Sequence, residues 1–159
     1  MPAASAPWQE GGNRHPLEPI RRISQQSGMA TLIFSTGMSH ITSFRDLLVW
    51  QKSMDLAVAC HAIAKRFPRD EQPVLEYQVR KSALSMPSNI AEGFARHSTA
   101  FYVQHLWTAH ASGAELQTPL EVGQRIRIVG EPEAAALIAN AEEVGRMLHG
   151  LVSSLERGR

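Results

Sequence analysis

After Thr42, apolar residues recur at helical spacing through four consecutive stretches, and the breaks between them fall at residues that end or begin helices. The first stretch, about Ser43–Phe67, opens on Ser43 as an N-cap with Asp46 in the first turn, and Pro68 stops it. The second, about Pro73–Ala95, carries Pro87 inside it. A start near Ser98 opens the third, about Thr99–Ile128, whose middle, Ala109–Ala114, is nearly all small residues and permits close approach of another backbone; Pro119 is expected to bend it. Gly130, Glu131 and Pro132 mark a turn and a fourth helix over about Pro132–Glu156, proline being suited to a first helical turn. No stretch sustains the period-two alternation of a strand. Four long helices with short connections predict an all-α, antiparallel up-down-up-down four-helix bundle over residues 43–159.

The apolar pattern also bears on assembly. The first helix carries two stripes, one of Leu47, Trp50, Met54, Ala57, His61 and Ala64, the other of Leu56, Cys60, Ile63 and Phe67. One stripe is enough to face a single core, so two suggest burial on two sides, in the bundle and against another subunit. The fourth helix has one clean stripe, Ile138, Ala141, Val144, Met147, Leu148, Leu151 and Leu155, with Glu142 and Arg146 paired opposite; Glu76 and Arg80 form a similar pair on the second helix. Residues 1–42 differ, with four prolines, four glycines and no sustained periodicity. They read as a disordered or weakly ordered leader, and a second reading starts translation at Met38.

Charge and cysteine usage exclude several classes. The formal charge of the 159 residues is +1, so no strong global attraction to nucleic acid is expected. Residues 45–97 carry eight Lys/Arg against six Asp/Glu, and residues 98–159 carry five against seven, a dipolar layout that permits a local basic surface. Cys60 is the only cysteine, which excludes a disulfide scaffold and a Cys-rich zinc site. No apolar run approaches the roughly 20 residues of a membrane span, and the amino terminus lacks the basic-then-apolar order of a signal peptide, so a cytoplasmic location is expected.

Catalytic constellations are not apparent. His105 and His110 are five apart, the wrong spacing for two ligands on one helical face; His61 in its apolar stripe reads as a core or interface histidine; no metal or other cofactor is expected. The sequence contains no nucleophile elbow, phosphate loop or dinucleotide fingerprint. The segment Gln78–Gly93, QVRKSALSMPSNIAEG, is the most distinctive. Pro87 removes a backbone donor and crowds the preceding turn, at about 3 kcal/mol or more. Ser85, Ser88 and Asn89 can satisfy the freed groups, and Asn89 with Glu92 has capping-box spacing that could restart the helix; a ligand or partner contact by Ser88 or Asn89 is the other reading. Glu92 and Glu115 are expected to be hydrogen-bonded or paired with Arg80 or Lys81. Arg45, Lys52 and Arg66 recur at steps of seven and fourteen, and Arg80, Lys81, Arg96 and His97 follow. They read either as a solvated face with surface ion pairs or as phosphate contacts, weak in one subunit and multiplied in a ring; aromatic residues are few, so base stacking is not expected from the sequence.

Two segments taken jointly, FRDLLVWQKS (Phe44–Ser53) and QVRKSALSMPSNIAEG (Gln78–Gly93), resemble the four-helix-bundle family encoded within 23S rRNA intervening sequences, a broader group that includes the accessory variability determinant of diversity-generating retroelements. Ser112, Glu115 and Leu116, and the stretch Gly145–Leu155, resemble the family's third and fourth helices. The family positions of the second segment are Pro87, Ser88, Asn89, Glu92 and Gly93. The resemblance covers about Phe44–Leu155 and implies an antiparallel bundle that assembles as a homopentamer without enzyme activity. For the retroelement relative it implies binding of RNA or DNA and of a reverse transcriptase through basic surfaces, which carried onto this chain gives Arg45, Lys52, Arg66, Arg80, Lys81 and Arg96 as candidate nucleic-acid contacts. The alternative is a scaffold that binds a neighbouring gene product, such as a reverse transcriptase, without touching nucleic acid.

Overall fold

Ser43 caps the start of the helical region, and Asp46 answers it. The Ser43 hydroxyl accepts from the Arg45 amide at 3.2 Å, while the Asp46 carboxylate accepts from the amides of Ser43 and Thr42 at 2.9 and 3.0 Å. These bonds close a capping box around a single 3₁₀ turn, Phe44–Asp46. Leu47, extended, then leads into the first α-helix. In this computed structural model the residues described are 41–70, 72–96 and 98–157. The leader reading for residues 1–42 and the alternative start at Met38 concern a segment that lies outside them, apart from Ile41 and Thr42.

Four α-helices follow: α1 (Leu48–Ala64), α2 (Tyr77–Phe94), α3 (Thr99–Arg125) and α4 (Glu131–Arg157), with a π-helical turn, Gln72–Glu76, running straight into α2. No strand occurs among the described residues. Consecutive helices pack side by side, and α1 closes against α4, so the four form the antiparallel bundle that the periodicity predicts. Leu56, Cys60 and Ile63 of α1, Val79, Met86 and Ile90 of α2, Leu106, Leu116 and Leu120 of α3, and Leu137, Val144 and Leu148 of α4 fill the core. At about 25 cal/mol per Å² this apolar burial is the main stabilising term.

Of the two stripes on α1, the one with Leu56, Cys60, Ile63 and Phe67 is wholly buried. The other lies along the edge of the core: Leu47, Ala57 and Ala64 are buried, Trp50 and Met54 half-buried, and His61 exposed. The core reading of His61 therefore fails, because its position faces outward from the bundle.

Helix α2 is continuous through Pro87, which is itself buried in the core. The proline leaves the Ala83 carbonyl without its usual amide. The next two carbonyls gain side-chain donors: the Ser88 hydroxyl donates to Leu84 O at 2.8 Å, and the Asn89 amide donates to Ser85 O at 2.9 Å. Asn89 therefore bonds backwards along an existing helix, and the expected restart by an Asn89–Glu92 capping box does not occur. Serine and asparagine do bond locally around the proline, as expected, but to the Leu84 and Ser85 carbonyls rather than to the freed Ala83 carbonyl.

The α3–α4 connection depends on one left-handed residue. Arg127 adopts φ 65°, its amide donates to Gln124 O at 3.0 Å, and the Ile128 amide donates to Gly123 O at 2.8 Å. This pair of bonds is a Schellman motif with arginine where glycine is usual. Pro132 sits in the first turn of α4, and the Ala134 amide donates to Gly130 O.

Candidate functional site

The Gln78–Gly93 segment contributes half of a polar seam between α2 and α3. The Asn89 amide donates to the Ser85 hydroxyl oxygen at 3.1 Å, Ser85 and Ser112 hydroxyls lie 2.8 Å apart, and the Ser112 hydroxyl donates to Thr108 O at 2.9 Å. Because Ser112 donates to Thr108, Ser85 is the donor between the two hydroxyls. The Asn89 carbonyl oxygen in turn sits 3.3 Å from His105 Nδ1, so that nitrogen carries the proton and donates. His105 Nε2 lies 3.8 Å from the Glu92 carboxylate, which also pairs with Arg96 at 2.7 Å. The seam satisfies its members internally and leaves Ser85, Ser112 and Asn89 without an accessible attacking group. Glu92 pairs with Arg96 rather than with Arg80 or Lys81, because i,i+4 spacing puts Arg96 on its own side of the helix. The Glu115–Lys81 pairing is present at 4.0 Å.

Gly93 is where α2 and α3 approach most tightly. A Cβ there would lie 2.7 Å from His105 Cβ and 2.9 Å from Tyr102 Cδ2. Gly113, in the small-residue middle of α3, gives similar room to the Met86 side chain, 3.0 Å from where its Cβ would be. The phenol of the neighbouring Tyr102 is pushed up to about 12 by burial, and its ring meets Phe94 edge-on at 6.2 Å.

The six basic candidates are spread over several seams. Lys52 and Arg66 both cross to α4, pairing with Glu143 at 2.9 Å and Glu133 at 2.6 Å. Arg80 pairs with Glu76 at 2.6 Å within its own turn, and Lys81 and Arg96 pair with Glu115 and Glu92. Arg45 stacks instead over Phe44, 4.5 Å from the ring centre. His97 lies outside the described residues.

Burial pushes the Cys60 thiol up to about 12, so it stays protonated and unreactive. Among the described residues no three His, Cys, Asp or Glu side chains converge to hold a metal, and no helix is long and apolar enough to cross a membrane. His105 faces α2 and His110 faces α4, as their five-residue spacing requires.

Two grooves on the surface gather titratable side chains from different helices. Between α1 and α2 an open groove of about 460 Å³ is lined by His61, Glu76, Tyr77, Arg80, Lys81 and Leu84. Between α3 and α4 a cleft of about 350 Å³ is lined by His110, Gln117, Glu142, Arg146 and His149, with Gly113 and Gly145 among its walls. Sequence reasoning missed the second. The signal was present as Glu142, Arg146 and His149 at i, i+4 and i+7 on α4, facing Trp107 and His110 at i and i+3 on α3.

Four antiparallel helices are the arrangement the resemblance implies. The model of the 23S rRNA-intervening sequence protein family matches residues 45–150. The chain belongs to that family. The span matched contains the α2–α3 seam, all six basic candidates and both grooves, and ends within α4. A solved structure similar to this family member is a protein with unknown function from the S23 ribosomal protein family of Bacteroides thetaiotaomicron VPI-5482: TM-score 0.61, 24% identity, 66% of this chain and 98% of that chain covered. At that identity the likeness shows the fold alone. No curated protein matches the chain.

Proposed function

We propose that this family member is a non-enzymatic homo-oligomer, a ring of five chains, that contacts nucleic acid weakly through basic surface residues. One observation carries the assembly: the outer face of α1 and α2 is apolar and unpartnered. Val58, Val74, Tyr77 and Leu84 are each more than half exposed, and the last two line the groove with His61. An apolar face rimmed by Glu76, Arg80 and Lys81 is the composition of a protein interface. The five-chain count rests on the family resemblance.

The state of the candidate nucleophiles supports the non-enzymatic part of this reading. The hydroxyls of Ser85, Ser88 and Ser112 are engaged in the helices, Cys60 is buried and protonated, and among the described residues no titratable pair faces the core. A cytoplasmic location belongs to the same proposal.

The nucleic-acid part is limited by charge pairing. Lys52, Arg66, Arg80, Lys81 and Arg96 each have a carboxylate partner. Arg66–Glu133, Lys81–Glu115 and Arg96–Glu92 are exposed pairs of a kind that contributes only about 0–1 kcal/mol, so a phosphate can replace the carboxylate with little net gain per contact, whereas Lys52–Glu143 and Arg80–Glu76 are more enclosed and exchange less readily. Arg45 has no carboxylate partner among the described residues. Binding by one chain is therefore weak and useful only when multiplied by a ring.

The second reading, a scaffold for a neighbouring gene product such as a reverse transcriptase, uses the same apolar face for a different protein. Light scattering over a hundredfold concentration range tests the assembly, with a discrete oligomer expected; a monomer throughout refutes it. Binding of RNA and DNA across a salt series tests the contacts. Affinity that does not fall with salt, or that survives replacement of Arg45, Lys52 and Arg66 by alanine, refutes phosphate contact. An oligomer that binds no nucleic acid favours the scaffold.

A further inference from the structure

The α3–α4 cleft holds a set of side chains that the basic-surface reading leaves unused. Trp107 lies beside this lining rather than in it, against two of its histidines and 41% exposed. The His110 and His149 rings flank the indole at 5.5 and 5.8 Å, each nearly perpendicular to it. Arg146 lines the same cleft and is held only loosely, 3.9 Å from Glu142. The floor is open because Gly145 has no side chain: a Cβ there would lie 3.7 Å from the His110 ring.

We propose that this cleft is a stacking site for the bases of single-stranded RNA or DNA. Unpaired bases are bound by stacking on Trp and His rings or on arginine planes, and each base so held is worth more than a solvent-exposed phosphate contact. Trp107 supplies the ring, His110 and His149 fix its orientation, and Arg146 neutralises the adjoining phosphate. Glu142 repels phosphate and accepts from exocyclic amines, so it faces the base edge rather than the backbone. The volume, about 350 Å³, lies in the range of small-ligand sites. A duplex keeps its bases stacked internally and gains nothing here.

This inference rests on the reading that the chain contacts nucleic acid, and the experiment separates the two. The full chain is titrated against a labelled twelve-nucleotide single strand, and against its duplex, by fluorescence anisotropy over a salt series. Trp107→Ala should weaken single-strand binding between about 5- and 150-fold with an unchanged salt slope. Trp107→Phe, which keeps a ring, should retain most of the affinity; thermal melts confirm that both variants fold. Arg146→Ala should lower the slope by about 0.7, one phosphate's worth for a single strand. Single-strand binding that is indifferent to Trp107→Ala, or duplex binding equal to single-strand binding, overturns the stacking site while leaving the basic-surface reading standing. No binding of either oligonucleotide at low salt overturns both.

Discussion

Replacing Gly93 with alanine should destabilise this protein, although the same change in an exposed helix normally stabilises. Gly93 lies inside α2, where alanine is favoured over glycine by about 1 kcal/mol on propensity alone. Against that gain, the new Cβ would meet His105 Cβ at 2.7 Å and Tyr102 Cδ2 at 2.9 Å. His105 Cβ is fixed to the α3 backbone, so no side-chain rotation relieves the contact and the helices must part. Overpacking of this kind costs about 1–3 kcal/mol. Parting α2 from α3 also weakens the Phe94–Tyr102 edge contact, worth about 0.5–1.5 kcal/mol, and stretches the His105–Asn89 bond, already 3.3 Å, worth about 1 kcal/mol. The net loss is about 2–4 kcal/mol, or about 8–16 °C in Tm for a domain of this size. Gly150 is the internal control: it is exposed in α4 with nothing within 4 Å of its Cβ position, and Gly150→Ala should gain up to about 1 kcal/mol. Urea denaturation followed by circular dichroism, at one protein concentration, measures both. If Gly93→Ala proves as stable as Gly150→Ala, the close approach is not what makes glycine necessary and the reasoning is wrong.

Arg127→Gly should stabilise by about 0.5–1 kcal/mol in the same assay, because glycine adopts the left-handed φ of 65° without the arginine Cβ penalty. Hydrogen bonds from the Ser43 and Thr42 amides hold the Asp46 carboxyl below its ordinary 3.8, so its contribution is present above 3.8 and is lost as pH falls through the lower folded value. Acid unfolding curves of Asp46→Asn should show a shallower fall over that window than the wild type. The Cys60 thiol, raised from 9.0 to about 12, contributes stability that is full below 9.0 and declines as pH rises toward 12, by up to about 1.4 kcal/mol per pH unit. Cys60→Ala should remove that slope from alkaline melts, and the native thiol should resist thiol reagents until the protein unfolds.

Local signals in the sequence carried the architecture because each acts over a single turn. Ser43 with Asp46 and Pro132 at a helix start do in the structure what their chemistry dictates, whereas the helix expected over Ser43–Phe67 is interrupted at the extended Leu47 and ends at Ala64, ahead of Pro68. Pro87 was readable as a perturbation but not in its outcome. Whether Asn89 restarts a helix or bonds backward depends on what α3 presents to it, and His105 and Ser112 are distant in sequence. The same limit applies to charge. Glu76–Arg80 and Glu142–Arg146 follow from i,i+4 spacing, whereas Lys52–Glu143 and Arg66–Glu133 depend on α1 closing against α4. Periodicity likewise could not separate Leu106 in the core from Trp107 beside it, since adjacent residues diverge around the helix and only packing decides which points inward.

The hydroxyl chain from Asn89 through Ser85 and Ser112 to Thr108 runs in one direction, each member donating to the next. Such a chain works only when α2 and α3 are in a single longitudinal alignment. If α3 slid by one turn, about 5.4 Å, Ser112 would leave Ser85 and the hydroxyl bond between the helices would be lost, at about 0.5–1.5 kcal/mol. Leucine against leucine offers no comparable resistance to sliding. The two serines therefore act as a detent in an otherwise greasy contact. They fix the height at which α3, and with it Trp107, is presented relative to the outer face of α2.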